Sequence, residues 1–331
     1  MTKKILIVTD NLPDQINGVV TTYKNLEAHA LLDGYQLVYI DPGQFPHRDC
    51  PGYNEVKIAY PRALRKKIEE VGADHYHIAT EGPLGVSARH LFERDGIRYN
   101  TAYHTRFPEG IKKLVGVPEF ITWAYVRWFH KHSGKVLTTT DTMVNELRDQ
   151  GFDGTVISWT RGVDRQVFRP DWRDLKENDG PVLVCVSRVS KEKNLDDFCA
   201  MKYPGARKIM VGDGPYRKEL QQKYPDVEFV GFKTGRALAE YYAQADVFVF
   251  PSRWETFGLV MIEAMACGTP VAAYPAPGPL DVIDPGITGV MDKDLATATY
   301  KCMGLDRETV WYGSQRWSWQ RAWEIFRANL V

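Results

Sequence analysis

Short runs of branched apolar residues recur along the chain, separated by longer stretches whose apolar positions fall at helical spacing. In the first half the runs are KKILIVTD, YQLVYID, ADHYHIATE, IRYNTAYHT and KVLTTT. Helical patterns lie between them: one through Ala30, one in GVSARHLFERDG, one in MVNELRDQG. Short β-rich runs alternating with helices predict a parallel, doubly wound sheet. The polar stretch PDWRDLKENDG interrupts the pattern. The alternation then restarts with PVLVCVSRV, RKIMVGDG, VEFVGF, ADVFVFPS and TPVAAYP, which predicts a second α/β sheet. The tail WYGSQRWSWQRAWEIFRANL is helical in pattern and rich in Trp, and is expected to cross back over the first domain. The reading is therefore a Rossmann-like domain over residues 1–170, a linker over 171–180, a second Rossmann-like domain over 181–311 and a C-terminal helix within 312–331. Two such domains facing each other would make a central cleft.

Composition narrows this picture without redirecting it. A chain of 331 residues is comfortable for two domains of roughly 150 residues each. Lys plus Arg equals Asp plus Glu at 42 each, so no global charge points to nucleic acid or an anionic membrane, although local patches remain open. Five cysteines, Cys50, Cys185, Cys199, Cys267 and Cys302, lie without paired spacing. They read as reduced thiols of a cytoplasmic protein. The opening MTKKILIVTDN has an apolar run of four residues, too short for a signal peptide, and reads as a strand. No run is long and apolar enough to span a membrane.

In open α/β sheets ligands sit outside the carboxyl ends of the strands, and the residues that look chemical fall there. In WETFGLVMIEAMACG, a helix starting near Gly258 leaves the amides of Thr256 to Leu259 as helix-start donors, which favour an anion such as phosphate. Glu255 precedes that start and Glu263 follows it. Eight residues of helix rise about 12 Å, the right span for one carboxylate on a sugar and the other on a ribose, with a diphosphate between. Acceptor-only groups suit hydroxyl donors. The alternative is a solvated helix with two surface glutamates. In SRVSKEKN, Arg188 ends a buried strand and Lys193 follows, and together the two cations can offset charge developing on a leaving diphosphate; alone, the run also reads as a solvated charge cluster. Gly18, in INGVV, lets backbone approach a phosphate or sugar closely, or belongs to a plain βα loop. His104, in AYHTRFPEG, can hydrogen-bond a sugar hydroxyl, or serve the core as most lone histidines do. His75 and His77 alternate along a strand and read as structural, since no Cys or carboxylate cluster completes a metal site.

Taken together, Arg188 and Lys193 in SRVSKEKN, VGDGP, ADVFVFPSRWETFGLVMIEAMACGTPV, GITG and RGVDRQVFRP resemble the retaining glycosyltransferases of the GT-B fold, in the large family-four group. The likeness spans nearly the whole chain and is sharpest in the second half. INGVVTT, EGPLG and YHTRFP carry it in the first, where the YHT stretch is similar to lipid-type mannosyl-, glucosyl- and sulfoquinovosyl-transferases. The resemblance implies a GT-B architecture with an N-terminal acceptor-binding domain and a C-terminal nucleotide-sugar-binding domain. It implies catalytic roles for Glu255, Arg188, Lys193 and His104. It places the donor on Gly18, Arg188, Lys193, Phe232, Phe257, Gly258, Leu259 and Glu263: Glu255 on the sugar, Glu263 on the ribose, the cations on the diphosphate, the amides of Phe257, Gly258 and Leu259 on sugar and phosphate, the backbone at Phe232 on the base. Departures are Ser187 before the Arg, where the family often has Gly, and Asp281 in PGPLD, where it has Glu. The nucleotide sugar is substrate, and no cofactor or metal is expected. The only Asp-x-Asp triplet, Asp292–Lys293–Asp294, lies outside the motif cluster.

The acceptor side is less specific. Residues 104–135 hold Arg106, Lys112, Lys113, Arg127, Lys131 and Lys135 against Glu109 and Glu119, interleaved with Phe107, Phe120, Trp123, Tyr125, Trp128 and Phe129. Arg62, Arg65, Lys66 and Lys67 add a second basic run. Such segments suit an anionic lipid surface, a nucleic-acid backbone, or a core helix with solvated basic residues. The expected acceptor is a lipid or glycan, with peripheral contact at the inner membrane face; DNA is the lesser alternative. The rival functions are a DNA-modifying transferase, a nucleotide-sugar epimerase of similar fold, a non-catalytic nucleotide-sugar binder and a glycoside hydrolase, the last disfavoured by the phosphate-type helix start.

Overall fold

The computed structural model describes residues 2–50, 53–104, 106, 108, 117–173 and 180–331. It divides into two compact units. Unit 1 is Met1–Arg161 with Trp319–Val331, and unit 2 is Gly162–Ser318. The division falls ahead of the polar stretch 171–180, whose residues 174–179 lie outside the described residues. Trp172 of that stretch closes a short 3-10 turn, Pro170–Trp172, and its indole N–H donates to Val167 O at 2.8 Å.

Unit 1 is built on a six-stranded parallel sheet of β1 (Lys3–Val8), β2 (Tyr35–Ile40), β5 (His75–Ile78), β6 (Asn100–Tyr103), β7 (Val136–Thr138) and β8 (Val156–Ser158), in the order β2-β1-β5-β6-β7-β8. Its helices are α1 (Gly18–Leu32), α2 (Leu64–Val71), α3 (Pro83–Arg94), α4 (Glu119–His130) and α5 (Asp141–Asp149). Residues Ile5 to Val8 are fully buried, as a strand covered on both faces must be. An antiparallel pair, β3 (His47–Cys50) and β4 (Tyr53–Ala59), was not expected. The polar HRDC run carries no apolar alternation from which it could be read. Asn17 caps α1, accepting from the amides of Val19 and Val20.

Unit 2 repeats the plan with β9 (Val182–Val186), β10 (Arg207–Val211), β11 (Val227–Gly231), β12 (Val247–Phe250), β13 (Val271–Ala273) and β14 (Gly289–Met291), all parallel, in the order β11-β10-β9-β12-β13-β14. Around them lie α6 (Leu195–Ala200), α7 (Arg217–Lys223), α8 (Gly235–Gln244), α9 (Leu259–Ala266), α10 (Pro279–Val282), α11 (Leu295–Cys302) and α12 (Arg307–Gly313). Strands β9 and β12 are buried throughout. Cys185, Cys199, Cys267 and Cys302 are buried free thiols, and the Cys50 side chain lies outside the described residues.

The last helix, α13 (Trp319–Ala328), returns to unit 1. Trp319, Ala322, Trp323 and Phe326 recur at helical spacing and are its buried face. It is pinned polarly as well. Trp159 Nε1 donates to Ala322 O at 2.8 Å, and Trp323 Nε1 donates to Asp33 Oδ2 at 2.7 Å, just past the end of α1.

Candidate active site

The strand orders fix where each sheet can take a ligand. In unit 2 the order reverses at β9, so the crevice lies beyond the carboxyl ends of β9 and β12. The loop after β9 carries Arg188 and Lys193; the loop after β12 carries Glu255. They meet there: Lys193 Nζ lies 2.6 Å from Glu255 Oε1, each side chain about a fifth exposed.

The backbone around this pair is shaped for it. Ser187 N donates to Val211 O and Val189 N to Asp213 O, zipping the Arg188 segment onto the loop after β10. A Cβ at Gly212 would lie 1.9 Å from Ser187 O, and one at Gly214 would lie 2.4 Å from Val189 O. The glycines of VGDGP are therefore required by close backbone packing under Arg188, a reason the sequence pattern alone did not give. Arg188 itself is exposed. Directly after Lys193, Asn194 takes φ 52°, the one positive value at a non-glycine residue among the described residues. Asn is one of the few non-glycine residues that adopt this left-handed geometry, here at the junction between the turn carrying Lys193 and α6.

Gly258 caps α9 with φ 89°, and Leu259 is the first helical residue. Glu255 is thus four residues outside the helix, so the 12 Å rise reckoned for an unbroken helix from Glu255 to Glu263 does not apply. Phe257 is buried, edge-on to Trp317 at 5.2 Å. Gly278, also at φ 89°, brings a second helix start against this loop: a Cβ there would sit 3.1 Å from both Glu255 Cβ and Phe257 O. Asp281 lies in the first turn of that helix, α10. Phe232 follows β11 with its ring about half exposed.

Glu263 is half-buried between Ile262 and Ala264, both fully buried. Desolvation pushes its pKa up to about 7, against the opposing hydrogen bond from the Tyr242 hydroxyl, which donates to Oε2 at 3.0 Å. Tyr242 is a partner that sequence reasoning missed, because a tyrosine on a buried helix face gives no signal of its own. The triplet around Lys293 is committed elsewhere. Asp294 caps α11, and Asp292 accepts from Asp294 N and pairs with Lys301.

In unit 1 the order reverses between β1 and β5. Asp10, after β1, accepts from the amides of Leu84 and Gly85 at the start of α3 and from Thr80 Oγ1. A Cβ at Gly82 would strike its carboxylate at 2.4 Å. Burial raises the Asp10 pKa to about 6. Gly18 opens α1. His104, one residue past β6, has both ring nitrogens engaged: Nδ1 with Arg161 Nη2 at 2.8 Å and Nε2 with Tyr23 Oη at 3.2 Å. Tyr23 Oη also meets His77 Nε2 at 2.7 Å. Burial, then the charge of Arg161, pushes His104 well below the usual histidine range. His77 falls to about 3 by burial. His75 Nδ1 meets Val331 O at 2.9 Å.

The basic and aromatic segment divides. Trp123, Val126 and Phe129 of α4 are buried, whereas Phe120 is 72% and Trp128 39% exposed. Arg106 pairs with Glu146 at 2.8 Å. Arg62 and Lys67 flank or lie on α2, where Arg65 and Lys66 pair with Glu69 and Glu70. Phe107, Glu109, Lys112 and Lys113 lie outside the described residues. No helix among the described residues is long and apolar enough to cross a membrane.

Comparison with known proteins agrees with this layout. The family model described as Glycosyltransferase Family 4 matches residues 17–167, and that described as Glycosyl transferases group 1 matches residues 169–294. The GDP-mannose-dependent alpha-mannosyltransferase of Mycobacterium tuberculosis is 32% identical over 317 residues, covering 87% of this chain and 83% of that one. The alpha-monoglucosyldiacylglycerol synthase of Acholeplasma laidlawii is 27% identical, covering 77% of this chain and 76% of that one. Sucrose-phosphate synthase from Thermosynechococcus elongatus shares the fold, with a TM-score of 0.77 at 20% identity over 98% of this chain and 94% of its own. Two doubly wound parallel sheets, the charged pair at the switch point of the second and these matches make the chain a glycosyltransferase of family four with the GT-B fold.

Proposed function

We propose that the chain transfers a hexose from a nucleotide-diphosphate sugar to a lipid or glycan acceptor, with retention at the anomeric carbon and without a divalent metal. The observation that carries this reading is the Lys193–Glu255 pair at the switch point of the second sheet, beside a helix start that runs into Glu263. In the reading, Glu255 accepts from sugar hydroxyls and Glu263 from the ribose. Arg188 and Lys193 receive the charge that grows on the leaving diphosphate, the work a metal does elsewhere. The amides of Phe257, Gly258 and Leu259 hold sugar and phosphate, the backbone at Phe232 meets the base, Gly18 approaches the phosphates and His104 the transferred sugar. The commitment of Asp292 and Asp294 to a helix cap and an ion pair supports the metal-independent form.

A lipid acceptor is supported by α4. Phe120, Ile121, Ala124 and Trp128 lie outward at helical spacing, with Lys131 at the end of the helix, the composition of a face that rests on a lipid surface. It is further supported by the Acholeplasma relative, named for a diacylglycerol product. The mannosyltransferase relative, named for GDP-mannose, puts that donor first in line. The test is a screen of nucleotide against sugar, read as free nucleoside diphosphate, with and without diacylglycerol. Release that depends on acceptor supports the reading. Conversion of the donor to another nucleotide sugar with no acceptor present would replace it with an epimerase.

A further inference from the structure

The hydrogens of the polar chain through unit 1 are constrained from its arginine end. Arg161 has five N–H donors and no acceptor. Its Nη2 is 2.8 Å from His104 Nδ1, so Nδ1 must accept and carries no proton. The neutral ring then bears its hydrogen on Nε2, aimed at the Tyr23 hydroxyl. Tyr23 accepts that hydrogen and donates its own to His77 Nε2, the shorter contact at 2.7 Å. His77 is left with its hydrogen on Nδ1, a fully buried atom without a partner among the described residues.

Arg161 is itself held on several sides. It is buried, its Nη1 donates to Trp159 O at 2.7 Å and Thr160 O at 3.0 Å, and its guanidinium lies 4.5 Å over the Trp159 ring. Trp159 and Phe326 wall the histidines, with Phe326 5.1 Å from both Trp159 and His77. The direction of the chain is thus set at its arginine end and insulated from water.

We propose that Arg161 is a positioning residue that holds His104 as its Nε2–H tautomer, so that His104 serves transfer as a fixed hydrogen-bond donor and never as a proton acceptor. The proposal rests on the reading that places His104 at the transferred sugar. Nε2–H then donates to a sugar oxygen in exchange for its long bond to Tyr23, whose hydroxyl stays anchored on His77. No proton moves and no charge appears on the ring.

The test is long-range proton–nitrogen NMR of the full chain with 15N-labelled histidine. One ring, identified by its loss in His104→Gln, is expected as pure Nε2–H; another, lost in His77→Asn, as pure Nδ1–H. Arg161→Met should turn the His104 pattern into a mixture of tautomers and lower kcat several-fold at unchanged donor KM. Arg161→Lys, which keeps a cationic donor, should keep the Nε2–H pattern. A wild-type His104 that is Nδ1–H or doubly protonated at pH 7 overturns the proposal, and so does an Arg161→Met protein that stays purely Nε2–H. If Arg161→Met does not fold, the wild-type and Arg161→Lys spectra decide. Unchanged kcat in His104→Ala would instead remove His104 from the reaction and leave the tautomer result standing.

Discussion

At the scale of single residues the account turns on charge. Arg188 and Lys193 sit beyond the end of a buried strand, and Lys193 already has a carboxylate partner. Removing a donor that acts on developing charge costs about 3 kcal/mol, roughly a hundredfold in rate. Steady-state kinetics of Lys193→Ala and Arg188→Ala should therefore show kcat falling about a hundredfold with donor KM little changed; unaltered kcat in both would remove the two from the diphosphate. Glu263 gives a prediction of a different kind. With its pKa pushed up to about 7, a ribose that hydrogen-bonds the carboxylate must draw off its proton. Affinity for nucleoside diphosphate should then rise from pH 6 to pH 8. Calorimetry near pH 7, repeated in buffers of different ionisation heat, should show proton release that vanishes in Glu263→Gln. These two glutamates and two cations were legible in the sequence as candidates because their motifs begin at strand ends. Tyr242, Tyr23, His77 and Arg161 were not identified as site residues. Their roles come from pairing across the fold, which spacing along the chain does not encode.

At the scale of elements, short apolar runs alternating with helical patterns identified most strands of both sheets, since strands covered on both faces tend to read as near-continuous apolar runs. The hairpin of β3 and β4 escaped, its first strand reading HRDC. Short β8 and β14 escaped as well, at three residues each. Burial inside unit 1 also sets a pH dependence. His77 has a folded pKa of about 3 against about 6.5 unfolded. The unfolded chain therefore takes up a proton that the folded one refuses, and this residue costs stability as pH falls below 6.5. His104 acts in the same direction. Asp10, raised to about 6, opposes them: its stabilising share is complete below about 3.8 and lost as pH rises through 6. The slope from one such group is about 1.4 kcal/mol per pH unit. In urea unfolding between pH 6 and pH 4, His77→Asn should gain on the wild type by that slope, and Asp10→Asn should lose by it. A pH-independent difference for His77→Asn would mean that His77 is not held neutral.

At the scale of the molecule, the Trp-rich tail was expected to return to the first domain, and α13 does pack within unit 1. Its Phe326 lies 5.1 Å from His77, so the end of the sequence shapes the surroundings of a residue 249 positions earlier, the step from His77 to Phe326. The outward face of α4 leads to a prediction about surfaces. Burying a large apolar side chain is worth about 1.5–3 kcal/mol, and each basic residue near an anionic leaflet about 1 kcal/mol. The protein should co-sediment with anionic vesicles, and Phe120→Ser with Trp128→Ser should weaken this at least about tenfold. Binding to duplex DNA in preference to vesicles would move the acceptor to nucleic acid, with affinity falling steeply in salt. The central claim is that two cations beyond the carboxyl end of β9 stand in for a metal in a retaining transfer. Its most direct test is proton NMR of the sugar product, formed with excess chelator from the donor that the screen identifies. The account predicts undiminished turnover and the donor's own anomeric configuration in the product; an inverted anomer, or activity abolished by the chelator, would contradict it.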